Sequence, residues 1–255
     1  MGIAAWICRG CSKEVPLDHF ATTPCGETVC HPDYAAAVLA DRESQIERSG
    51  VRVSHGLGCP RRAAIEATEA YAVDPLTMLA AITGTGWHAV MERAGKPEIL
   101  VSGVIAGIQV SGKMDSYGDP IGDWKTMGAK APAEAKPEHV VQLSLYAELC
   151  EQSGLRRPRS GIIWYKDPWS IQPRLCSLMT VDEALAVKPY GGEHTVRELF
   201  AQASKMFTKD ERGSEYEHWS HQPLAGKSMM FGTKSMCDYC AVREQCTVAA
   251  MGAPF

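Results

Sequence analysis

Apolar and polar positions divide the chain into three zones. Residues 1–34 are turn-rich. Residues 35–50, AAAVLADRESQIERSG, read as a polar helix or tether ending at Gly50. The main body runs from 51 to 255. Within it, helical periods predict helices near 60–72, 75–94, 137–152 and 194–208. Alternating and β-branched runs predict strands near 99–105, 107–117, 120–126, 159–165 and 173–180. Helices, a meander, another helix and further strands suit an α/β or α+β domain with a mixed sheet. MGAKAPAEAKPE (127–138) reads as a flexible loop, and there is no internal repeat.

Composition narrows the function classes. With 255 residues, 45% of them hydrophobic, the chain can build one large domain, or one domain plus a small appendage. A net charge of −4 gives no global basic field, so any nucleic-acid contact must come from local patches. No apolar run approaches the roughly 20 residues that span a bilayer. MGIAAWIC is too short for a signal peptide and lacks its positive start. The expected location is therefore the cytoplasm, with no membrane partner. Ten cysteines in a reducing compartment point to metal or cluster ligation rather than disulfides.

The polar segment GKMDSYGDPIGDWKTM (112–127) carries candidate chemistry. Strand alternation puts Asp123 and Lys125 on one face and Trp124 on the other. Gln109, Ser111, Lys113 and Asp115 share a face of the preceding strand, away from Ile108, Val110 and Met114. With a three-residue loop at Gly118–Asp119–Pro120, Asp115 lies opposite Asp123. Like charges so placed repel, and a divalent cation would offset the cost. Two carboxylates, a metal and a lysine form a phosphodiester-cleaving set. The same triplet also fits a polar hairpin edge with a weak surface pair. Upstream, GTGWHAVMERA (84–94) offers His88 as a third ligand. Downstream, Gln142 and Tyr146 share a helix face. Val141, Leu145 and Leu149 lie beside them, so a structural role for Tyr146 stays open.

In that order these motifs resemble the PD-(D/E)XK nuclease superfamily in its RecB-like branch. The correspondence runs from Gly84-x3-His88 through Gly112-x2-Asp115 and Asp123-x-Lys125 to Gln142-x3-Tyr146. It covers roughly 55–250. It implies a restriction-endonuclease-like mixed sheet flanked by helices. It also implies Mg²⁺ or Mn²⁺ on His88, Asp115, Asp123 and the Trp124 carbonyl. Lys125 would orient or activate the attacking water, and Gln142 and Tyr146 would contact DNA or support the site. Asp123 stands where many relatives carry Glu.

The same resemblance orders the C-terminal cysteines. MCDYCAVREQC holds Cys237, Cys240 and Cys246 as C-x2-C-x5-C, and HGLGCPRRAAIE offers Cys59. One cysteine before the core and three after it is the pattern of RecB-like nucleases with an iron–sulfur cluster, among them the CRISPR-associated Cas-four exonucleases. A [4Fe-4S] cluster is thereby implied, with zinc in the same thiolates as the alternative. Cys150 and Cys176 read as structural thiols. The resemblance does not reach the N-terminus. There Cys8, Cys11, Cys25 and Cys30 have C-x2-C-x13-C-x4-C spacing, which suits a zinc module over residues 1–50, with His31 as alternative fourth ligand. A leader with free thiols is the other reading. Residues 51–255 would form the nuclease domain.

DNA, as single strands or ends, is the implied partner, with a helicase, CRISPR or recombination protein as further company. Arg61, Arg62, Lys130, Lys136, Arg156, Arg157 and Arg159 are candidate phosphate contacts. Trp164 and Tyr165 are candidate base-stacking residues. Ordinary surface charge and core aromatics are the competing explanation. Gly226-Lys227-Ser228 lacks the first glycine of a P-loop, since His221 stands there. The expected activity is a metal-dependent DNA exonuclease in repair, recombination or CRISPR or phage DNA processing. The alternative is a non-catalytic or partner-dependent DNA-binding iron–sulfur and zinc module.

Overall fold

The computed structural model describes residues 3–8, 11, 13–19, 35–40, 50–68, 71–95, 98–127, 130–167, 169–207, 230, 231, 234, 235, 240 and 242. The strands are β1 (Ile3–Cys8), β2 (Lys13–Val15), β3 (Val51–Arg52), β4 (Tyr71–Val73), β5 (Ile99–Ile105), β6 (Ile108–Met114), β7 (Ile121–Thr126), β8 (Ser160–Lys166), β9 (Ile171–Ser177), β10 (Met230–Phe231) and β11 (Lys234–Ser235). The helices are α1 (Pro60–Thr68), α2 (Leu79–Arg93), α3 (Pro137–Gln152), α4 (Val181–Ala186) and α5 (Val196–Phe207). This is a mixed α/β fold, and its small sheets run in the orders β2-β1-β4, β3-β6-β5, β7-β8-β9 and β10-β11. β7 and β8 are parallel, whereas β8 and β9 are antiparallel.

Helix α3 is the spine of the larger core. Pro137 occupies its first turn, where a missing N–H costs nothing, and Glu138 complements the helix dipole. Its far end closes as a Schellman motif: Leu155 N donates to Cys150 O at 2.8 Å and Gly154 N to Glu151 O at 3.1 Å, with Gly154 at φ +79°. Val140, Val141, Leu143, Leu145, Tyr146, Ala147, Leu149 and Cys150 are all buried, so the helix is enclosed on most sides. It packs with Val110, Met114, Ile121, Ile163, Tyr165 and Phe200. Cys150 sits inside this core, its Sγ 3.6 Å from Met114 Sδ, and Cys176 packs at the core's edge.

The N-terminal segment is more ordered than its turn-rich sequence suggests. β1 pairs antiparallel with β2 and parallel with β4, so it shares a sheet with residues after 70. A second core forms there from Trp6, Cys8, Val15, Ile65, Tyr71, Val73, Met78 and Val242. Residues 35–40 are helical. Among the described residues no helix is long and apolar enough to cross a membrane.

Candidate active site

The expected hairpin is not one ladder. β6 joins β3 and β5, while β7 joins β8, and among the described residues the backbone of the two segments pairs only at the bridge Ser116↔Gly122. Each strand therefore gains its hydrogen bonds in a different sheet, and the carboxylates sit where the sheets part. Extending the bridge by one residue still sets Asp115 across from Asp123. Trp124 N donates to Asp115 Oδ2 at 2.6 Å, which ties the end of β6 to β7. Both carboxylates are buried, at 8% and 3% exposure.

Two further groups converge on Asp115. His88 Nδ1, from α2, lies 3.2 Å from Asp115 Oδ1 and 3.2 Å from Glu98 Oε1. Sequence reasoning missed Glu98. The antiparallel register Ile99↔Met114 carries residue 98 to the side of residue 115. Only the glutamate immediately ahead of a strand hinted at it. Glu98 Oε2 also pairs with Lys113 at 2.7 Å. Hydrogen bonds donated to Asp115 and Glu98 push the His88 pKa up to about 10 against the pull of burial when no cation is bound, and a cation on this imidazole would take the place of that proton. The hydrogen bond with His88 holds the Glu98 carboxyl down at about 2.

On β7, Lys125 Nζ lies 2.8 Å from Asp123 Oδ2 and donates to Gln142 Oε1 at 2.8 Å. Gln142 Nε2 donates in turn to Tyr146 OH at 3.1 Å. The buried Asp123 Oδ2 is thus engaged by the ammonium in an ion pair. Burial pushes the Asp123 carboxyl up to about 6, against the attraction of Lys125. Nearby Asp115 adds to the rise. The donor types fit a hard divalent cation: the His88 imidazole and the Glu98 and Asp115 carboxylates, with the Asp123 carboxylate alongside. Ligand atoms of His88, Glu98 and Asp115 lie within 4.8 Å of one another.

Trp124 points to the other face, as alternation requires. It stacks on Trp164 at 4.7 Å and meets Trp87 edge-on at 5.5 Å, with Lys166 Nζ 5.3 Å from the Trp87 ring centre. Gly84, the first glycine of the helical motif, has no close neighbour that a side chain would strike.

Several sequence candidates are otherwise engaged. Tyr165 is fully buried, and its hydroxyl accepts from Lys136 N at 2.9 Å and meets His139 Nδ1 at 2.8 Å. It is a core residue, not a stacking platform. Arg157 pairs with Glu148 and Glu151, Arg159 with Asp119, and Arg62 with Glu66. Arg156 and Lys130 are exposed and Lys136 is half-buried. The Arg61 side chain lies outside the described residues.

Of the cluster candidates, Cys59 stands at the start of α1, and the Cys240 thiol lies within electrostatic reach of Cys59 and Arg62. Burial pushes Cys240 up to about 11. Cys237 and Cys246 lie outside the described residues, as do Cys25, Cys30, His31 and His221. Cys8 ends β1 and Cys11 follows it closely.

No curated protein matches the chain in sequence. The crystal structure of SSO0001 is similar over 72% of this chain and 90% of its own, at 17% identity and a TM-score of 0.45. Residues 98–247, more than half of the chain, match the PD-(D/E)XK nuclease superfamily. That span carries Asp115, Asp123, Lys125, Gln142 and Tyr146, and the chain belongs to the PD-(D/E)XK nuclease superfamily.

Proposed function

We propose that the chain is a divalent-metal-dependent DNA exonuclease of the RecB-like, Cas-four-like branch, acting on single strands or DNA ends. The observation that carries this reading is the convergence of His88, Asp115 and Asp123 beside Lys125. His88, Asp115, Asp123 and the Trp124 carbonyl would hold Mg²⁺ or Mn²⁺, and Glu98 adds a carboxylate to that set. When bound, the cation supplies charge neutralisation and an activated water for in-line attack on a phosphodiester.

The chain's own residues do the rest. Asp123 and Gln142 hold the Lys125 ammonium in place, and an ammonium with three donors keeps capacity for a phosphate oxygen or a water. Tyr146 OH accepts from the Gln142 amide and so fixes which amide atom faces Lys125. Burial of both carboxylates keeps bulk water from screening these charges.

A [4Fe-4S] cluster on Cys59, Cys237, Cys240 and Cys246 would join the two ends of the nuclease domain. The nearness of Cys59 and Cys240 supports it. Zinc on Cys8, Cys11, Cys25 and Cys30, or His31, would organise the N-terminal 1–50 module. The substrate reading is tested on end-labelled linear single strands, linear duplexes and closed circular single strands with Mn²⁺. An exonuclease degrades the linear forms and spares the circle. Equal cutting of the circle would make it an endonuclease.

A further inference from the structure

The N-terminal hairpin brings together a group that thiol spacing alone does not point to. β1 and β2 pair with Trp6↔Val15, Ile7↔Glu14 and Cys8↔Lys13, so Cys8 is the last residue of the ladder before the connection. Cys11 N donates to Cys8 Sγ at 3.4 Å, which draws the two cysteines together. The chain then turns after β2, with His19 N donating to Pro16 O at 3.1 Å. Trp6 Nε1 holds this turn against the hairpin through Leu17 O at 3.0 Å. The result returns the His19 imidazole to the cysteines, with Nε2 3.5 Å from Cys11 Sγ. Ligand atoms of Cys8, Cys11 and His19 all lie within 4.8 Å of one another. Cys8 and His19 are 2% and 9% exposed.

Zinc geometry fits this grouping. Zinc–sulfur bonds of about 2.3 Å and zinc–nitrogen bonds of about 2.0 Å at a tetrahedral angle place sulfur and nitrogen roughly 3.5 Å apart. That matches the Cys11–His19 separation of 3.5 Å. Two thiols and an imidazole are also the ligand types zinc prefers over magnesium or calcium. The buried Cys8 thiol adds a second sulfur at the same point.

We propose that His19 is a zinc ligand, forming three corners of a structural tetrahedral site with Cys8 and Cys11. The inference rests on the zinc reading of the N-terminal module and changes its ligand set: an imidazole takes one position that the spacing assigned to sulfur. It leaves one position for the thiols named from the sequence. The role is structural. The ion would tie the β1–β2 hairpin to the His19 turn, next to the second core in which Cys8 packs with Trp6, Val15, Ile65 and Tyr71.

The test uses the full chain, dialysed briefly against a chelator to remove loosely held divalent ions. Zinc content and zinc-edge X-ray absorption are measured on wild type, His19→Ala and His19→Cys. The expected wild-type result is one retained zinc with one imidazole in a sulfur-rich shell. His19→Ala loses the imidazole scattering and weakens zinc retention about tenfold or more, and His19→Cys retains zinc in an all-sulfur shell. Zinc misplaced on the cysteines at 59, 237, 240 and 246 adds no imidazole signal, and zinc misplaced on His88 gives an imidazole signal that persists in His19→Ala. Retained zinc with sulfur ligands alone in wild type overturns the role of His19 and leaves the zinc module standing. A wild-type chain that neither retains nor takes up zinc overturns both.

Discussion

A methyl group on Gly112 would lie 2.3 Å from Cε1 of Tyr146 and 3.2 Å from Cγ2 of Val53. The glycine of the G-x-x-D motif is therefore a seat for the tyrosine that ends the Lys125–Gln142–Tyr146 chain. Gly112→Ala forces the ring aside. We expect a loss of about 1–3 kcal/mol in stability from overpacking. Because Tyr146 holds Gln142, kcat should fall more than KM rises. Thermal melts and steady-state cleavage check both. A variant with wild-type kcat would detach Tyr146 from the site.

Glu98 tests whether the metal set extends beyond the sequence motifs. Glu98→Gln keeps the shape and removes the charge beside His88 and Asp115. The Mn²⁺ concentration for half-maximal cleavage should rise about tenfold or more, as for loss of a charged neighbour that orients a ligand. Activity at saturating Mn²⁺ should largely recover. An unchanged Mn²⁺ dependence would remove Glu98 from the set.

A buried and a half-buried histidine make stability depend on pH. Burial holds His55 and His139 down at about 3. His55 Nδ1 accepts from Arg52 N at 3.1 Å, a bond that a proton on that nitrogen destroys. Between about 3 and 6.5 the unfolded chain binds a proton at each of these sites and the native chain does not. Stability from them is therefore full above about 6.5 and declines as pH falls. Each group contributes a slope of up to about 1.4 kcal/mol per pH unit. Chemical denaturation of wild type and His55→Asn between pH 7.5 and 5 should show the shallower slope in the variant. Parallel slopes would contradict the assignment.

The cluster reading predicts that Cys240→Ala, purified without oxygen, loses iron and visible absorption together. Domain stability should fall as well, because Cys240 and Val242 pack against the core of Trp6, Ile65 and Tyr71. A wild-type chain with zinc and no iron at these thiols would favour the zinc alternative.

Local features were legible where local physics decides them. Helix α3 was expected at 137–152 and runs Pro137–Gln152, because proline, glutamate and a dense apolar run all favour it. β5, expected at 99–105, runs Ile99–Ile105, and a two-residue turn with Ala106 and Gly107 at positive φ sends the chain back into β6. β9 was displaced in the reading, 173–180 against Ile171–Ser177. Its Ile171 and Leu175 face solvent, at 47% and 75% exposure, so apolar residues did not mark the inner face. That Asp115 lies across from Asp123 was readable from strand alternation, whereas the chemistry proposed for the pair and Lys125 rests on the motif resemblance. Glu98 was not readable, because its place depends on the β5–β6 register rather than on any neighbour in sequence. His19 was hidden for a similar reason: the turn held by Trp6 and Leu17 O, not the cysteine spacing, carries it to Cys11. The splitting of β6 and β7 into separate sheets is a long-range choice, made by β3 and β8 competing for their edges.

The central claim is that the Asp115–Asp123–Lys125 site cleaves DNA. The most direct measurement is cleavage of end-labelled single-stranded DNA in Mn²⁺ by wild type and Lys125→Ala, with circular dichroism confirming that both are folded. The account predicts metal-dependent cleavage by wild type and a loss of at least about 100-fold in the folded variant. Near-wild-type cleavage by Lys125→Ala would contradict it.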